Sequence, residues 1–322
     1  MRFKHAHLND LIRYLMAKFS EDVVMNQEER ELIDQVLGSC PMLARSSWYP
    51  THRPGEDSDT GLDTKFGGNK PFRADNFRWP ICDECNAHKA FVCQINIATL
   101  PPLLREHIKM TSGLFQLFYC LECMPLNCFK DVYILKSSEL VPSLQCLAAK
   151  EVVRLKKYNP KKLPPTLRNF VQDYTEDVPL HEVCGDELEE NVVEGWNMVA
   201  SELPNAQEYS DIESMAEEIK SKADLTEEQF GTFVDLLSDD PDTALEGRGV
   251  ISAGAGVKLG GWIRWCQGVE YPECTDCGVS MDVTFLQMEE DAVYEFGWGD
   301  CGTGHVTLCP QCGRPGLQWA CG

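Results

Sequence analysis

Hydrophobic residues recur at helical spacing twice near the start of the chain: Leu8, Leu11, Ile12, Leu15 and Phe19, then Leu32, Ile33, Val36 and Leu37. Residues three and four apart share a helix face, so the pattern predicts two helices within 8–37, a small cap on the domain C-terminal to them. Ser46–Asp63, "SSWYPTHRPGEDSDTGLD", is rich in Pro, Gly, Ser and Asp and reads as a loop. The period then changes. "KAFVCQINI" (Lys89–Ile97), "GLFQLFYC" (Gly113–Cys120) and "VYILK" (Val132–Lys136) are short, apolar or alternating, and rich in β-branched and aromatic residues, which predicts strands. Pro160, Pro164 and Pro165 mark a break. "DIESMAEEIKSK" and "LTEEQFGTFVDLLS" return to helical spacing, with Thr226 and Gln229 placed for a capping box. Strand patterning resumes in "TFLQ" (Thr284–Gln287) and "GHVTLC" (Gly304–Cys309).

One phrase occurs twice. "KFGGNKPF…WPICDEC" runs from Lys65 to Cys85, and "KLGGWIRW…YPECTDC" from Lys258 to Cys277. Gly68 lies 14 residues before Cys82 and Gly261 lies 13 before Cys274. Pro80 and Pro272 precede those cysteines by two positions, and Trp79 and Tyr271 precede the prolines. An apolar strand then ends at Gln94 or Gln287, and a glycine-led strand runs into a second Cys-x-x-Cys, Cys120/Cys123 or Cys309/Cys312. The expected architecture is α+β with an internal duplication of antiparallel β units. Its parts are an N-terminal helical segment and loop (1–63), a first unit (64–142), a connecting region with an acidic, partly helical middle (143–249) and a second unit (250–322).

Two Cys-x-x-Cys pairs supply the four thiolates of a tetrahedral zinc site, because a two-residue spacing lets a tight turn aim both sulfurs at one ion. Asn86, Gly278 and Gly313 follow second cysteines, where a left-handed residue eases that turn; Met124 departs from the pattern. The predicted ligand sets are Cys82, Cys85, Cys120 and Cys123, and Cys274, Cys277, Cys309 and Cys312, giving two structural Zn²⁺ per chain. The competing readings are buried core cysteines or a redox pair. Cys301 and Cys321 are rival ligands in the second unit, Cys93 and Cys128 in the first; His88 and His305 lie near but are not needed. Gly67–Gly68 and Gly260–Gly261 fit no phosphate-binding loop, so they read as turns with positive φ or as close backbone crossings. "WGDCGTG" (Trp298–Gly304) reads as a hairpin turn capped by Asp300.

Composition narrows the partners. The chain has 322 residues, 16 cysteines and a net charge of −22. Between Asp173 and Glu246 there are 23 acidic residues against two basic ones, so the rest is close to neutral. A phosphate backbone needs clustered Lys and Arg, which disfavours nucleic acid. With no signal-peptide h-region and no apolar run long enough to span a bilayer, the expectation is a cytoplasmic protein without a membrane partner.

The paired "K[FL]GG", the "WP-x-Cys-x-x-Cys … Gln" run and the late "WGD-x-G … Cys-Pro-x-Cys-Gly … Trp-x-Cys" resemble the YwqG-like family of duplicated bacterial proteins. That family is distantly related to the eukaryotic programmed-cell-death-protein-2 group. The resemblance covers about 64–142 and 250–322 and includes Gly260, Gly261, Trp262, Gln287, Trp298, Asp300, Cys309 and Cys312. It implies protein binding without catalysis, in the manner of a chaperone or an immunity-type protein; the acidic middle, by its charge, suits a basic polypeptide as the partner. The alternatives are an enzyme using Asp300, His305 or Gln287 near a cleft between the units, and a redox-responsive zinc–thiolate protein.

Overall fold

The computed structural model describes residues 26–55, 61–68, 71–74, 77–125, 132–140, 188–211, 213–237, 251–289, 297–299 and 302–321. The helix expected over 8–19 lies outside these residues, as do Cys128, Asp300 and Cys301. In chain order the elements are α1 (Gln27–Ser39), β1 (Arg45–Pro54), β2 (Lys65–Phe66), β3 (Ala90–Asn96), α2 (Pro102–His107), β4 (Leu114–Tyr119), β5 (Val132–Leu135) and β6 (Asn191–Leu203). They continue with α3 (Ala206–Asp211), α4 (Glu213–Ala223), α5 (Glu227–Asp235), β7 (Ile251–Ser252), β8 (Lys258–Gly260), β9 (Val283–Glu289), β10 (Thr303–Leu308) and β11 (Pro315–Ala320).

The chain forms two compact units. The larger is built on a sheet in the order β11-β10-β9-β8-β1-β6-β2-β3-β4-β5. Antiparallel pairing joins β1 to β8, β8 to β9, β9 to β10, β10 to β11, β6 to β2, β2 to β3, β3 to β4 and β4 to β5. The same register recurs in both arms. Lys65 lies opposite Gln94 and Phe66 opposite Cys93; Lys258 lies opposite Gln287 and Leu259 opposite Leu286. Gln94 then faces Gln116, as Gln287 faces His305. Val92 and Phe285 are each an extra residue in the ladder, a bulge that bends the strand at the same point.

Two strands differ from the sequence reading. Ser46–Asp63 is not wholly loop, because β1 occupies its first half. Trp48, 3% exposed, is inserted into the core while Ser47 and Trp48 pair with Gly260 and Leu259. Pro50 and Pro54 lie beyond the two residues that β8 covers, which reconciles them with a strand. The connecting region holds β6, whose Asn191 and Val192 pair with Phe66 and Lys65. Each central strand is thus crossed over in the chain: β1 precedes β2 yet pairs with β8, and β6 precedes β8 yet pairs with β2.

The glycine pairs make these crossings possible. Gly67, Gly68, Gly260 and Gly261 all have positive φ (68°, 80°, 66° and 69°). A Cβ on Gly67 would sit 2.1 Å from the Glu189 carbonyl oxygen, so only glycine fits there. Inside, Phe115 of β4 packs edge-on against Phe285 of β9 with centroids 4.8 Å apart. Both rings belong to one core with Trp48, Phe66, Val92, Leu259 and Val306. Each fully buried large apolar side chain contributes on the order of 1.5–3 kcal/mol. Trp298, 1% exposed, packs on Tyr119 and Trp319. The Trp319 indole donates to the Pro125 carbonyl (3.2 Å), in keeping with the edge strands β11 and β5 lying against each other.

The smaller unit contains α1, α3, α4, α5 and β7, packed around Ile33, Val36, Leu203, Tyr209, Ile219, Phe233 and Trp262. Capping boxes at Asn26/Glu29 and Thr226/Gln229 start α1 and α5, satisfying backbone donors that a helix start otherwise leaves open. Trp262 is anchored in this unit. Its indole donates to Leu43 O (2.8 Å), its backbone N–H to buried Glu202 (2.7 Å), and Arg45 stacks on its ring at 3.4 Å. Among the described residues no helix is long and apolar enough to cross a membrane.

Candidate metal centres

The four Cys-x-x-Cys turns share one backbone geometry. In each, the N–H after the second cysteine donates to the carbonyl of the first: Asn86 to Cys82 (3.0 Å), Met124 to Cys120 (3.1 Å), Gly278 to Cys274 (2.8 Å) and Gly313 to Cys309 (2.9 Å). Those four residues are left-handed, with φ of 58°, 42°, 69° and 69°. Met124 therefore adopts the conformation its neighbours assign to Asn or Gly, and the departure seen in the sequence does not break the turn. Beyond the turns, Ile81 bridges His88 and Glu273 bridges Ser280, while Lys89 and Met281 donate to Pro80 and Pro272 (2.9 Å each). The Trp79 indole closes the first of these hairpins by donating to Lys89 O (2.7 Å).

These turns bring the predicted thiols together in two groups, Cys82, Cys85, Cys120 and Cys123, and Cys274, Cys277, Cys309 and Cys312, each with its sulfurs within 4.8 Å of one another. Cys85 Sγ lies 3.8 Å from Cys120 Sγ, Cys274 Sγ 3.5 Å from Cys312 Sγ, and Cys277 Sγ 3.4 Å from Cys309 Sγ. A tetrahedron with metal–sulfur bonds of ~2.3 Å has sulfurs about 3.8 Å apart, so both groups are near the size needed. In every pair the first cysteine is buried and the second is more exposed, which leaves the sites at the surface with their inner sulfurs covered.

The electrostatics favour a shared negative charge. Burial opposes ionisation of Cys309, but the N–H groups of Cys312 and Gln311 and the thiols of Cys277 and Cys312 bring it down to about 6. The Val279 N–H favours the thiolate of Cys277, yet the hydrogen bond to Cys309 and burial push it up to about 12. In the first group, burial raises Cys82, and hydrogen bonding to Cys85 followed by burial raises Cys123. One thiolate forms readily in the second group and resists company; a dication removes that penalty by accepting all four.

The other sequence candidates fall elsewhere. His88 and His305 are in neither group. His305 is fully buried, and desolvation followed by the charge of Lys258 holds it down to about 3, which makes it a weak base. Cys93 is buried in the core and its thiol is pushed up by desolvation. Gln94 is a structural bracket: its amide donates to Gly61 O (2.9 Å) and Asp63 O (2.8 Å) and accepts from Phe72 N (2.9 Å). Gln287 donates to Gly256 O (3.3 Å), the carbonyl two residues before Lys258, just as Asp63 stands two before Lys65. Sequence reasoning missed the lysines of the repeated phrase. Lys65 is 4% exposed and pairs with Glu190 at 2.5 Å, and Lys258 is fully buried. Their recurrence before each glycine pair was the available signal.

A family model described as a domain of unknown function, DUF1963, matches residues 64–311, from the residue before β2 into the last Cys-x-x-Cys turn, ending one residue short of Cys312. The chain belongs to this family, which is the YwqG-like family. No curated protein matches the chain.

Proposed function

We propose that this DUF1963 member is a non-enzymatic, zinc-stapled module that binds another protein, with two Zn²⁺ per chain in structural roles. The observation that carries the reading is the closed donor set of each centre. Four thiolates fill a tetrahedral shell and leave no position for a reacting water. Each ion contributes on the order of 10 kcal/mol to folding, which is the work such a site performs. The recurring register of β2–β4 and β8–β10 supports an internal duplication, and with it the distant kinship to the programmed-cell-death-protein-2 group. The partner is a polypeptide with a basic segment, held in chaperone or immunity fashion. The charge between Asp173 and Glu246 attracts such chains and speeds their encounter. A reducing compartment such as the cytoplasm keeps the thiols available for metal.

Elemental analysis tests the staple: two zinc ions per chain are expected, and well under one sinks it. An affinity pull-down from the native host, followed by association kinetics at several salt concentrations, tests the partner. Association that slows as salt rises is expected; a partner whose affinity ignores salt overturns the basic-segment clause, and a substrate turned over by the chain overturns the whole reading.

A further inference from the structure

Among the described residues, one edge of β6 stands open along part of its length in the larger unit. Val193 N donates to Thr64 O (2.9 Å), and with that bond the pairing to β2 ends. For the next six residues, Glu194–Val199, no strand lies on that side among the described residues. Open edges present unpaired N–H and C=O groups and are ordinarily blunted by Lys or Pro. "EGWNMV" has neither. Met198 is 51% exposed and Asn197 is exposed, while Trp196 and Val193 pack against the core and hold the strand in place. The stretch is as long as a typical strand.

We propose that Glu194–Val199 captures an extended Lys- or Arg-bearing segment of a partner protein by strand addition. This rests on the protein-binding reading above and assigns it a place and a mode. Backbone hydrogen bonds supply the affinity in such pairing, and side chains at alternate positions supply the selectivity. Charge selects the occupant. From Asp173 to Ile219 the chain has fifteen acidic residues and no Lys or Arg, and β6 lies inside that stretch. Beside the edge, Arg53 of β1 pairs with Glu194 at 3.4 Å and Lys65 of β2 with Glu190 at 2.5 Å. The acidic residues of the stretch still far outnumber these cations, so a basic strand is drawn to it and a neutral or acidic one is not.

The probe is a labelled ten-residue peptide of alternating Lys and Val, titrated by fluorescence polarisation into the metal-loaded full chain, with hydrogen exchange read in parallel. Saturable binding with slowed exchange confined to Gly195–Val199 is expected. The same peptide with alternate backbone amides N-methylated, and the Met198→Lys variant, should each bind about tenfold more weakly or worse. Equal affinity of the N-methylated peptide, or protection elsewhere, overturns strand addition here. Protection of Gly195–Val199 without peptide, rising with protein concentration, makes the occupant a second copy and overturns the basic partner. If a pulled-down partner binds Met198→Lys as tightly as the parent, the edge is wrong while the binding reading stands; if no partner is captured at all, the binding reading itself fails.

Discussion

Replacing Gly67 or Gly278 by alanine separates two effects that occur together at most left-handed glycines. The two have nearly the same φ, 68° and 69°, so either alanine meets the same left-handed penalty of about 1–2 kcal/mol. Their surroundings differ. A Cβ at Gly67 lies 2.1 Å from Glu189 O and 3.1 Å from Leu188 O, whereas nothing lies within 4 Å of one at Gly278. Relieving the clash moves the chain entering β6 by about 1 Å or more. The bonds from Gly68 N to Leu188 O and from Gly55 N to Glu190 O, both 2.8 Å, then stretch beyond range. Each is worth about 1 kcal/mol, so Gly67→Ala should cost about 3–4 kcal/mol against about 1–2 for Gly278→Ala. The gap of about 2 kcal/mol corresponds to roughly thirtyfold in the unfolding equilibrium. Urea unfolding of the metal-loaded chain, followed by tryptophan fluorescence with the slope checked for constancy, reads it directly. Gly278→Asn provides an internal control, because Asn86 holds the corresponding place at φ 58°, and it should fall within about 0.5 kcal/mol of the parent. Equal losses for the two alanines would refute the close crossing as the reason for glycine at 67.

Cys277→Ser should lower the bound metal from two per chain to one, read by elemental analysis; loss of both would show that the centres are not independent. Glu190→Gln leaves the ammonium of Lys65, only 4% exposed, without its counter-charge, at a cost of about 3 kcal/mol by urea unfolding. Adding Lys65→Met should recover most of that loss, and additive losses would deny the pairing. His305 has a folded pKa of about 3 against ~6.5 unfolded, so below pH ~6.5 only the unfolded chain takes up this proton. Stability from this group is therefore whole above pH ~6.5 and falls towards pH ~3 by up to ~1.4 kcal/mol per unit. His305→Gln, which installs the residue found at position 116, should flatten the decline between pH 7 and 5; parallel curves for parent and variant would reject the assignment.

The two four-cysteine clusters were legible because their information is local: a turn of fixed geometry, a narrow choice of donor and a spacing that repeats. Strands β3, β4, β9 and β10 were legible for a similar reason, since nearly every residue in each is buried and aromatic, β-branched or otherwise apolar residues dominate them; β5 was legible from its apolar composition, although only Val132 in it is buried. The strands β1 and β6 were not. Each is recruited by a partner distant in the chain, and only a few of their residues are buried, such as Ser47 and Trp48 in one and Asn191 and Val192 in the other. Pro50, Pro54 and the interspersed Glu and Asn dilute whatever alternation remains. Lys65 carried a different obstacle. A lysine is presumed exposed, and its partner Glu190 sits in an acidic stretch whose charge pointed to a basic partner protein and not to a buried pair within the chain.

The crossed pairing of β1 with β8 and of β6 with β2 sets a timetable for the ribosome. Residues 45–54 leave the tunnel early, but one of their two partners begins only at Lys258. At ~5–20 residues per second, the β8-facing edge of β1 stays bare for on the order of tens of seconds, although its other neighbour, β6, emerges sooner. The β2–β4 arm likewise lacks its inner neighbour until β6 emerges, which is before any of β8–β11 has been made. During that interval β1 of one nascent chain is open to β8 of another, and on a crowded polysome the first defect of this fold is an exchanged dimer.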